Sequence, residues 1–275
     1  MFRTFLEISL AMSIVILFII VISKFLDNKY KIKWRYFIWF LITIRLLVPI
    51  NYIANKPAIS INEPKTKIEI TVPILDKNIE STSSKIEQVA NEDNTEISVP
   101  VKNKVVSLSK VLEIIWKAGI ALSVLFYLIN YIVFNVKIKK HLKILDSKLF
   151  EKVKNEMKIK RKIEVYRCDL IASPMCIGFI KPKIMMPYIE YTNDELELIF
   201  KHELTHLKRF DIWYKLLLVA SNTVHWFNPF VYIMRKLANR DIEYTCDDIV
   251  TRNLSLSQRK EYSRVILKTM ERGGI

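Results

Sequence analysis

Glycine is scarce in this chain of 275 residues, and that scarcity excludes two large classes of nucleotide-binding protein. The four glycines cannot form the GxGxxG fingerprint of dinucleotide-binding folds or the GxxxxGK loop that holds phosphates. Cysteine is equally sparse, because three residues without a CxxC spacing support neither a disulfide framework nor a zinc site built from thiolates. Apolar side chains, in contrast, make up 51% of the chain, which excludes intrinsic disorder.

Three long apolar segments predict transmembrane helices. Residues 4–23 contain Glu7 as their only charge, residues 36–55 contain only Arg45, and residues 118–136 contain none. Each segment is close to the roughly 20 residues that a bilayer core requires. A signal peptide is the alternative for the first segment, but its basic cluster follows the apolar run instead of preceding it. We therefore expect a retained helix there.

The charges of the connecting loops predict the orientation. Residues 24–35 carry five basic residues and one acidic residue, residues 137–162 carry eleven and three, and the polar stretch 55–107 has a net charge of −1. The positive-inside rule places the first two in the cytoplasm and the third outside. The predicted organisation is two transmembrane helices in 1–54, an external loop at 55–107, a third transmembrane helix in 108–136 and a cytoplasmic domain at 137–275. This topology accounts for most of the net charge of +15, so no direct nucleic-acid partner is expected.

The cytoplasmic domain is predicted to be mainly α-helical with a small sheet. The basic stretch 137–160 is expected to be helical, and residues 163–167 have the pattern of a short strand. Proline and glycine divide residues 173–187 into two short strands or a hairpin. Thr192 followed by Glu195 forms a capping box, which predicts that a helix begins there.

This predicted helix carries the sequence His202-Glu203-Leu204-Thr205-His206. Two histidines at i and i+4 project from one helical face, so both imidazoles can reach a single zinc ion. Glu203 can hold the attacking water and take its proton. An HExxH sequence also arises by chance, so the prediction of a zinc peptidase depends on a third ligand.

Glu243 is the predicted third ligand, and Asp247 lies four residues further along the same helical face. A ligand histidine needs a partner for its free ring N–H, and Asp247 is expected to accept that bond and fix the tautomer. An ordinary solvated helix charge is the alternative for Asp247. Cys246 has two interpretations, as a rival thiolate ligand or as a small packed residue.

Residues 216–234 are long enough to form a fourth span, yet they are predicted not to cross. A full crossing would separate His202 from Glu243 by about 30 Å of hydrocarbon, and both must reach one metal. Pro229 predicts a break in the helix. We therefore expect a helical hairpin that dips into the cytoplasmic leaflet or packs on the spans. His225 near its tip is either a hydrogen-bonded structural histidine or a group that stabilises an oxyanion.

With these motifs in order, the chain closely resembles the BlaR/MecR-type antirepressor membrane metallopeptidases. The resemblance implies a zinc endopeptidase that faces the cytoplasm, with His202, His206 and Glu243 as ligands and Glu203 as the base. The segments that carry the resemblance are Arg45–Pro49, Ser173–Pro187, His202–Asp211, His225–Pro229 and Arg240–Asp247.

The resemblance further implies a regulatory protease that cleaves a cytoplasmic repressor-like protein, with self-cleavage, a homodimer and contact with membrane lipid as additional expectations. In this family a penicillin-binding-like sensor follows a further transmembrane helix. No clear span follows Val250, so a β-lactam ligand is not expected here. A quality-control membrane zinc protease of the HtpX kind and a catalytically silent membrane receptor are the alternatives, and the sequence Trp226-Phe-Asn-Pro229 argues against the first. Substrate is expected to bind as an extended strand along Met175–Met185. The alternative is that this segment only covers the core and that its backbone hydrogen bonds are already paired.

Overall fold

The computed structural model describes residues 2–23, 25, 28–48 and 108–272. The predicted external loop at 55–107 lies outside the described residues. The chain divides into two compact units, one formed by residues 1–52 with 119–275 and the other by residues 53–118. Of the second unit, the described part is residues 108–118, at the beginning of one helix.

The described residues form eight helices and four short strands. The helices are α1 (Phe2–Ile22), α2 (Asn28–Leu47), α3 (Leu108–Lys139), α4 (Lys148–Glu156), α5 (Asn193–Lys208), α6 (Asp211–Val224), α7 (Pro229–Thr251) and α8 (Leu256–Arg272). The strands are β1 (Lys143–Ile144), β2 (Glu164–Cys168), β3 (Met175–Ile177) and β4 (Lys183–Pro187). The prediction of a mainly helical protein with a small sheet is confirmed.

Two of the described helices, α1 and α3, are long and apolar enough to cross a membrane by length and composition. Helix α2 does not meet the same criteria, and it packs against α6 and α7. Its apolar face, with Trp39, Ile42 and Leu46, is buried in the core that α1, α2, α6 and α7 share. The predicted second span therefore stays a prediction.

A second apolar core lies between the sheet and helices α4, α5 and α8. Phe150 of α4, Ile184 of β4, Phe200 of α5 and Val265 of α8 are all buried in it. Helix α5 thus packs on the sheet with one face. It also contacts α6 and α7, so it lies between the two cores.

The four strands form one sheet in the order β1-β2-β4-β3. Strands β2 and β4 are parallel, whereas β3 pairs antiparallel with β4 as the predicted hairpin. Strand β3 is an edge strand of this sheet. Ile180, which we predicted to lie in the strand-like segment, belongs instead to the turn between β3 and β4 and is 81% exposed.

The expectation of one helix over residues 137–160 is wrong. Helix α3 ends at Lys139, and the following residues form edge strand β1, which pairs with β2. The backbone N–H of Leu145 also donates to the carbonyl of Val165 at 2.9 Å. The Ser147 side chain then caps the start of α4. Pairing with β2 and a new N-cap therefore override the helical pattern of the stretch.

Residues 216–234 do not form one helix, because they are divided between α6 and α7. Asn228 caps α7, and Pro229 is the first residue of that helix. The predicted break is thus confirmed. His225 is fully buried, and its Nε2 donates to the carbonyl of Leu46 at 3.1 Å. Because this bond ties the α6–α7 turn to α2, the structure favours the interpretation of His225 as a structural residue.

The α6–α7 turn is fastened to α1 by polar contacts. The Nδ2 atom of Asn228 lies 2.7 Å from the hydroxyl of Ser9 and 2.8 Å from that of Ser13. Both serines are buried on α1. A Cβ at position 119 of α3 would clash with the indole of Trp226, so Gly119 allows α3 to approach the same turn. The helical hairpin therefore packs on α1, and its turn lies against Gly119 of α3.

Candidate metal centre

The capping box that was predicted from the sequence fixes the start of α5. The Thr192 side chain accepts from the backbone N–H of Glu195, and the Glu195 side chain accepts from the backbone N–H of Thr192. This register places His202 and His206 one turn apart near the end of α5. Their Nε2 atoms lie 3.1 Å apart, so the two imidazoles point at one place.

Glu243 of α7 reaches the same place. Its Oε2 lies 3.1 Å from Nε2 of His206 and 3.7 Å from Nε2 of His202. Donor atoms around a tetrahedral zinc ion with bonds of about 2 Å are separated by roughly 3.3 Å. The three atoms therefore have the spacing of a zinc-ligand set. The other oxygen of Glu243 accepts from Nζ of Lys215 at 2.9 Å.

Cys246 is a geometric rival of Glu243. His202, His206 and Cys246 each offer a ligand atom, and these atoms lie within 4.8 Å of one another. The sulfur, however, lies 3.8 Å from Nδ1 of His202, which is not the ring nitrogen that faces His206. A single ion between the two Nε2 atoms is therefore better matched by the carboxylate of Glu243 than by the thiol of Cys246.

Nδ1 of His206 is held by a buried carboxylate that the sequence analysis did not identify. Nδ1 lies 2.7 Å from Oδ2 of Asp211, whose side chain is 1% exposed. The hydroxyl of Tyr36 donates to Oδ1 of the same residue at 3.4 Å, and Nη2 of Arg209 lies 3.4 Å from that oxygen. Phe210 has φ 59 in the left-handed region, which turns the chain sharply so that α6 begins at Asp211.

Nδ1 of His202 has two oxygen neighbours. The hydroxyl of Tyr262, on α8, lies 2.7 Å away, and Oδ1 of Asp247 lies 3.4 Å away. The tyrosine hydroxyl also donates to Oδ1 of Asp247 at 2.6 Å. Asp247 thus lies near His202, but the hydroxyl of Tyr262 is closer to Nδ1.

The two histidines open onto a cleft of about 430 Å³. Glu203 lines this cleft together with His202, His206 and Glu243, and its side chain is buried. The remaining walls come from the chain before and within β3, from α6 and from α8, and they include Ser173, Pro174, Met175, Cys176, Ile212, Lys215, Ile266 and Thr269. The cleft therefore lies between edge strand β3 and the HExxH helix, and both histidines line it.

The electrostatics of the cleft follow from burial and from these close pairs. Burial raises the pKa of Glu203 above its usual range. Burial alone would lower the pKa of His206, but the hydrogen bond to Asp211 opposes it and contributes to a pKa of about 11. Burial would raise the pKa of Glu243, but hydrogen bonds with His202 and His206 hold it below its usual range. The pKa values of two neighbouring carboxyl groups are thus shifted in opposite directions, upward for Glu203 and downward for Glu243.

A family model described as BlaR1 peptidase M56 matches residues 3–275. The chain belongs to this M56 family. It is 34% identical over 160 residues to the regulatory protein BlaR1 of Bacillus licheniformis, an alignment that covers 56% of this chain and 26% of that protein. It is 26% identical over 281 residues to the methicillin resistance mecR1 protein of Staphylococcus aureus. This alignment covers 98% of this chain and 46% of that protein. The M56 chain thus spans less than half the length of these curated relatives.

The resemblance inferred from the motifs is confirmed by this M56 match, but three residues around the histidines were missed. Asp211 offered a signal, because it is an acid that follows the HExxH sequence by five residues. Lys215 offered a weaker one, as the only charge between Asp211 and Arg235. Tyr262 offered none, since it comes from a helix whose position depends on packing.

Proposed function

We propose that this M56 protein is a zinc endopeptidase anchored in the cell membrane with its active site facing the cytoplasm. The observation that carries the proposal is the meeting of Nε2 of His202, Nε2 of His206 and Oε2 of Glu243 at distances of 3.1–3.7 Å. These atoms lie in a cleft that Glu203 also lines. A purely structural role would not require two histidines and two glutamates to line the same cleft.

In this proposal His202, His206 and Glu243 hold the zinc, and Glu203 is the general base. Zinc, when bound, supplies Lewis-acid activation of water and of the scissile carbonyl. Glu203 accepts the proton of the attacking water and passes it to the nitrogen of the departing amine. The raised pKa of Glu203 suits this role, because a carboxylate with a higher pKa is a stronger base and accepts the proton of water more readily.

The membrane anchor in the proposal rests on α1 and α3, which are apolar and long enough to cross. The cytoplasmic orientation rests on the excess of eleven basic over three acidic residues in 137–162. The substrate we propose is a cytoplasmic protein of the repressor kind, and the chain itself is a second substrate. Similarity to proteins named as regulatory favours this assignment over a quality-control protease.

The decisive experiment separates metal binding from cleavage. Glu203→Ala in the purified full chain should retain zinc, because Glu203 is not a ligand, and should lose about 10²–10⁴-fold in cleavage rate. His202→Ala and His206→Ala should lose the zinc itself. Zinc is measured by elemental analysis, and cleavage by mass spectrometry on a peptide library made from a cell proteome.

Glu197→Ala provides a matched control on the same helix. The Glu197 side chain pairs with Lys201 at the surface of α5 and does not line the cleft. This variant should keep both zinc and cleavage. A Glu203→Ala protein that cleaves at a substantial fraction of the wild-type rate would contradict the assigned roles. A zinc-loaded wild type that cleaves neither the library nor itself would favour the silent receptor instead.

A further inference from the structure

The contacts of His202 differ from those of His206 in one respect. His206 meets its carboxylate directly, at 2.7 Å from Asp211. His202 instead meets a tyrosine first, because the Tyr262 hydroxyl lies 2.7 Å from Nδ1 whereas Asp247 lies 3.4 Å away. The third neighbour, Sγ of Cys246, lies 3.8 Å from Nδ1 and donates to the backbone carbonyl of His202.

The direction of the hydrogen bonds follows from the chemistry of the groups. An ionised carboxylate can only accept, and a phenol has one hydrogen to donate. The Tyr262 hydrogen therefore points to Oδ1 of Asp247, at 2.6 Å. The tyrosine oxygen is then free to accept from Nδ1–H of His202. A neutral imidazole that is protonated on Nδ1 has its lone pair on Nε2, the atom that faces His206 and Glu243.

We propose that Tyr262 is a positioning residue that relays the influence of Asp247 to His202. Its hydroxyl donates a hydrogen bond to the carboxylate of Asp247 and accepts one from Nδ1–H of His202. It holds the imidazole in the orientation and tautomer that present Nε2 to the zinc ion. Outer-shell hydrogen bonds of this kind orient metal ligands and raise their basicity. The inference rests on the proposed function, because it assumes that His202 is a zinc ligand.

Helix α8 keeps Tyr262 in place at two points. The Tyr262 side chain is 3% exposed, and Val265 of the same helix is buried in the core with the sheet and α5. Nζ of Lys268 lies 2.7 Å from Oε1 of Glu195, which completes the capping box of α5. Because α8 is fastened to the start of α5 and reaches His202 near its end, the two helices form one support for the metal centre.

The test compares zinc affinity in the full-length wild type, Tyr262→Phe, Asp247→Asn and the double variant. Dissociation constants are measured by competition with a chelator, and the visible spectrum of the cobalt-substituted protein reports the ligand geometry. Each single change should weaken zinc binding by about 10–100-fold. The double variant should bind zinc no more weakly than whichever single variant has the lower zinc affinity, because both changes break the same relay.

Two features keep the test independent of folding. Tyr262→Phe preserves the buried ring, and Asp247 is 35% exposed, so Asp247→Asn probes the relay from the surface. Tyr214→Phe is the matched control, since it removes a buried hydroxyl that donates to the backbone of Tyr36 at 3.1 Å. This control should leave the zinc dissociation constant and the cobalt spectrum unchanged.

The outcomes distinguish this inference from the proposed function. If wild type binds zinc and Tyr262→Phe binds it equally tightly, the relay is refuted and the peptidase assignment stands. If the losses of the two single variants multiply in the double variant, Tyr262 and Asp247 act separately and the relay is again refuted. Wild-type protein that binds no zinc overturns the proposed function itself.

Discussion

The buried ion pair between α2 and α7 leads to a quantitative prediction about stability. Nε of Arg35 donates to Oδ2 of Asp241 at 2.8 Å, and its Nη2 contacts the other carboxylate oxygen. The indole N–H of Trp39 donates to Oδ2 at 2.9 Å. The side chains of Arg35 and Asp241 are 8% and 0% exposed. Asp241 thus compensates the charge of a guanidinium that is largely withdrawn from water.

Asp241→Asn removes the negative charge and leaves the guanidinium buried without a counter-ion. Removing one partner of a buried pair typically costs about 3–5 kcal/mol. The asparagine oxygen can still accept one hydrogen bond, so we expect a loss near the lower end, about 3 kcal/mol. The assay is equilibrium unfolding of the full chain in detergent micelles, with the free energy of unfolding obtained from the denaturant midpoint and slope.

Asp248→Asn is the matched control, because Asp248 lies on the same helix and also pairs with α2. Its Oδ2 lies 3.3 Å from Nζ of Lys33 and 3.4 Å from Nη2 of Arg252, but its side chain is 50% exposed. Exposed pairs contribute about 0–1 kcal/mol. The two asparagine variants should therefore differ by about 2 kcal/mol or more.

A double variant tests whether the cost comes from the unpaired charge. Arg35→Met with Asp241→Leu replaces both charges by apolar side chains, which in buried pairs is often neutral or stabilising. It should be more stable than Asp241→Asn alone. If Asp241→Asn loses no more stability than Asp248→Asn, the pair is not desolvated as the structure shows, and the reasoning is refuted.

Three further predictions concern the metal centre, the orientation and the cleft. Asp211→Asn should weaken zinc binding by about 10–100-fold, measured by chelator competition, because His206 loses its carboxylate partner; an unchanged affinity would remove Asp211 from the centre. In a variant without native cysteines, a cysteine at Ser83 should react with an impermeant thiol reagent on intact cells and one at Lys208 should not; the reverse pattern would place the peptidase outside. Proline at Ile177 removes an N–H from edge strand β3 and should raise KM or abolish cleavage with normal zinc content; a zinc-loaded variant with wild-type kinetics would exclude strand addition at this position.

The parts of the centre that were predictable are those governed by spacing within one helix. The capping box sets the start of α5, and the separation of four residues brings His202 and His206 to one face. The same rule relates Glu243 to Asp247 on α7. The break at Pro229 was also predictable, because proline suits the first turn of a helix and disrupts its interior.

The parts that were not predictable depend on contacts between elements. The sequence contains no periodicity that brings Tyr262 to His202, which are 60 residues apart and meet only because α8 packs on α5. Edge strand β1 was missed for a related reason. Its two residues pair with β2 in a basic stretch whose local pattern favours a helix.

Helix α7 shows how one sequence segment can serve two neighbours. An α-helix advances about 100° per residue, so positions 241 and 248 point in directions about 20° apart, while position 243 points about 160° away from 241. In agreement, Asp241 and Asp248 pair with Arg35 and Lys33 of α2, whereas Glu243 reaches the histidines of α5. Because Asp241 and Glu243 lie on opposite faces within one turn of the same helix, a displacement of α7 that moves Asp241 also moves the carboxylate of Glu243.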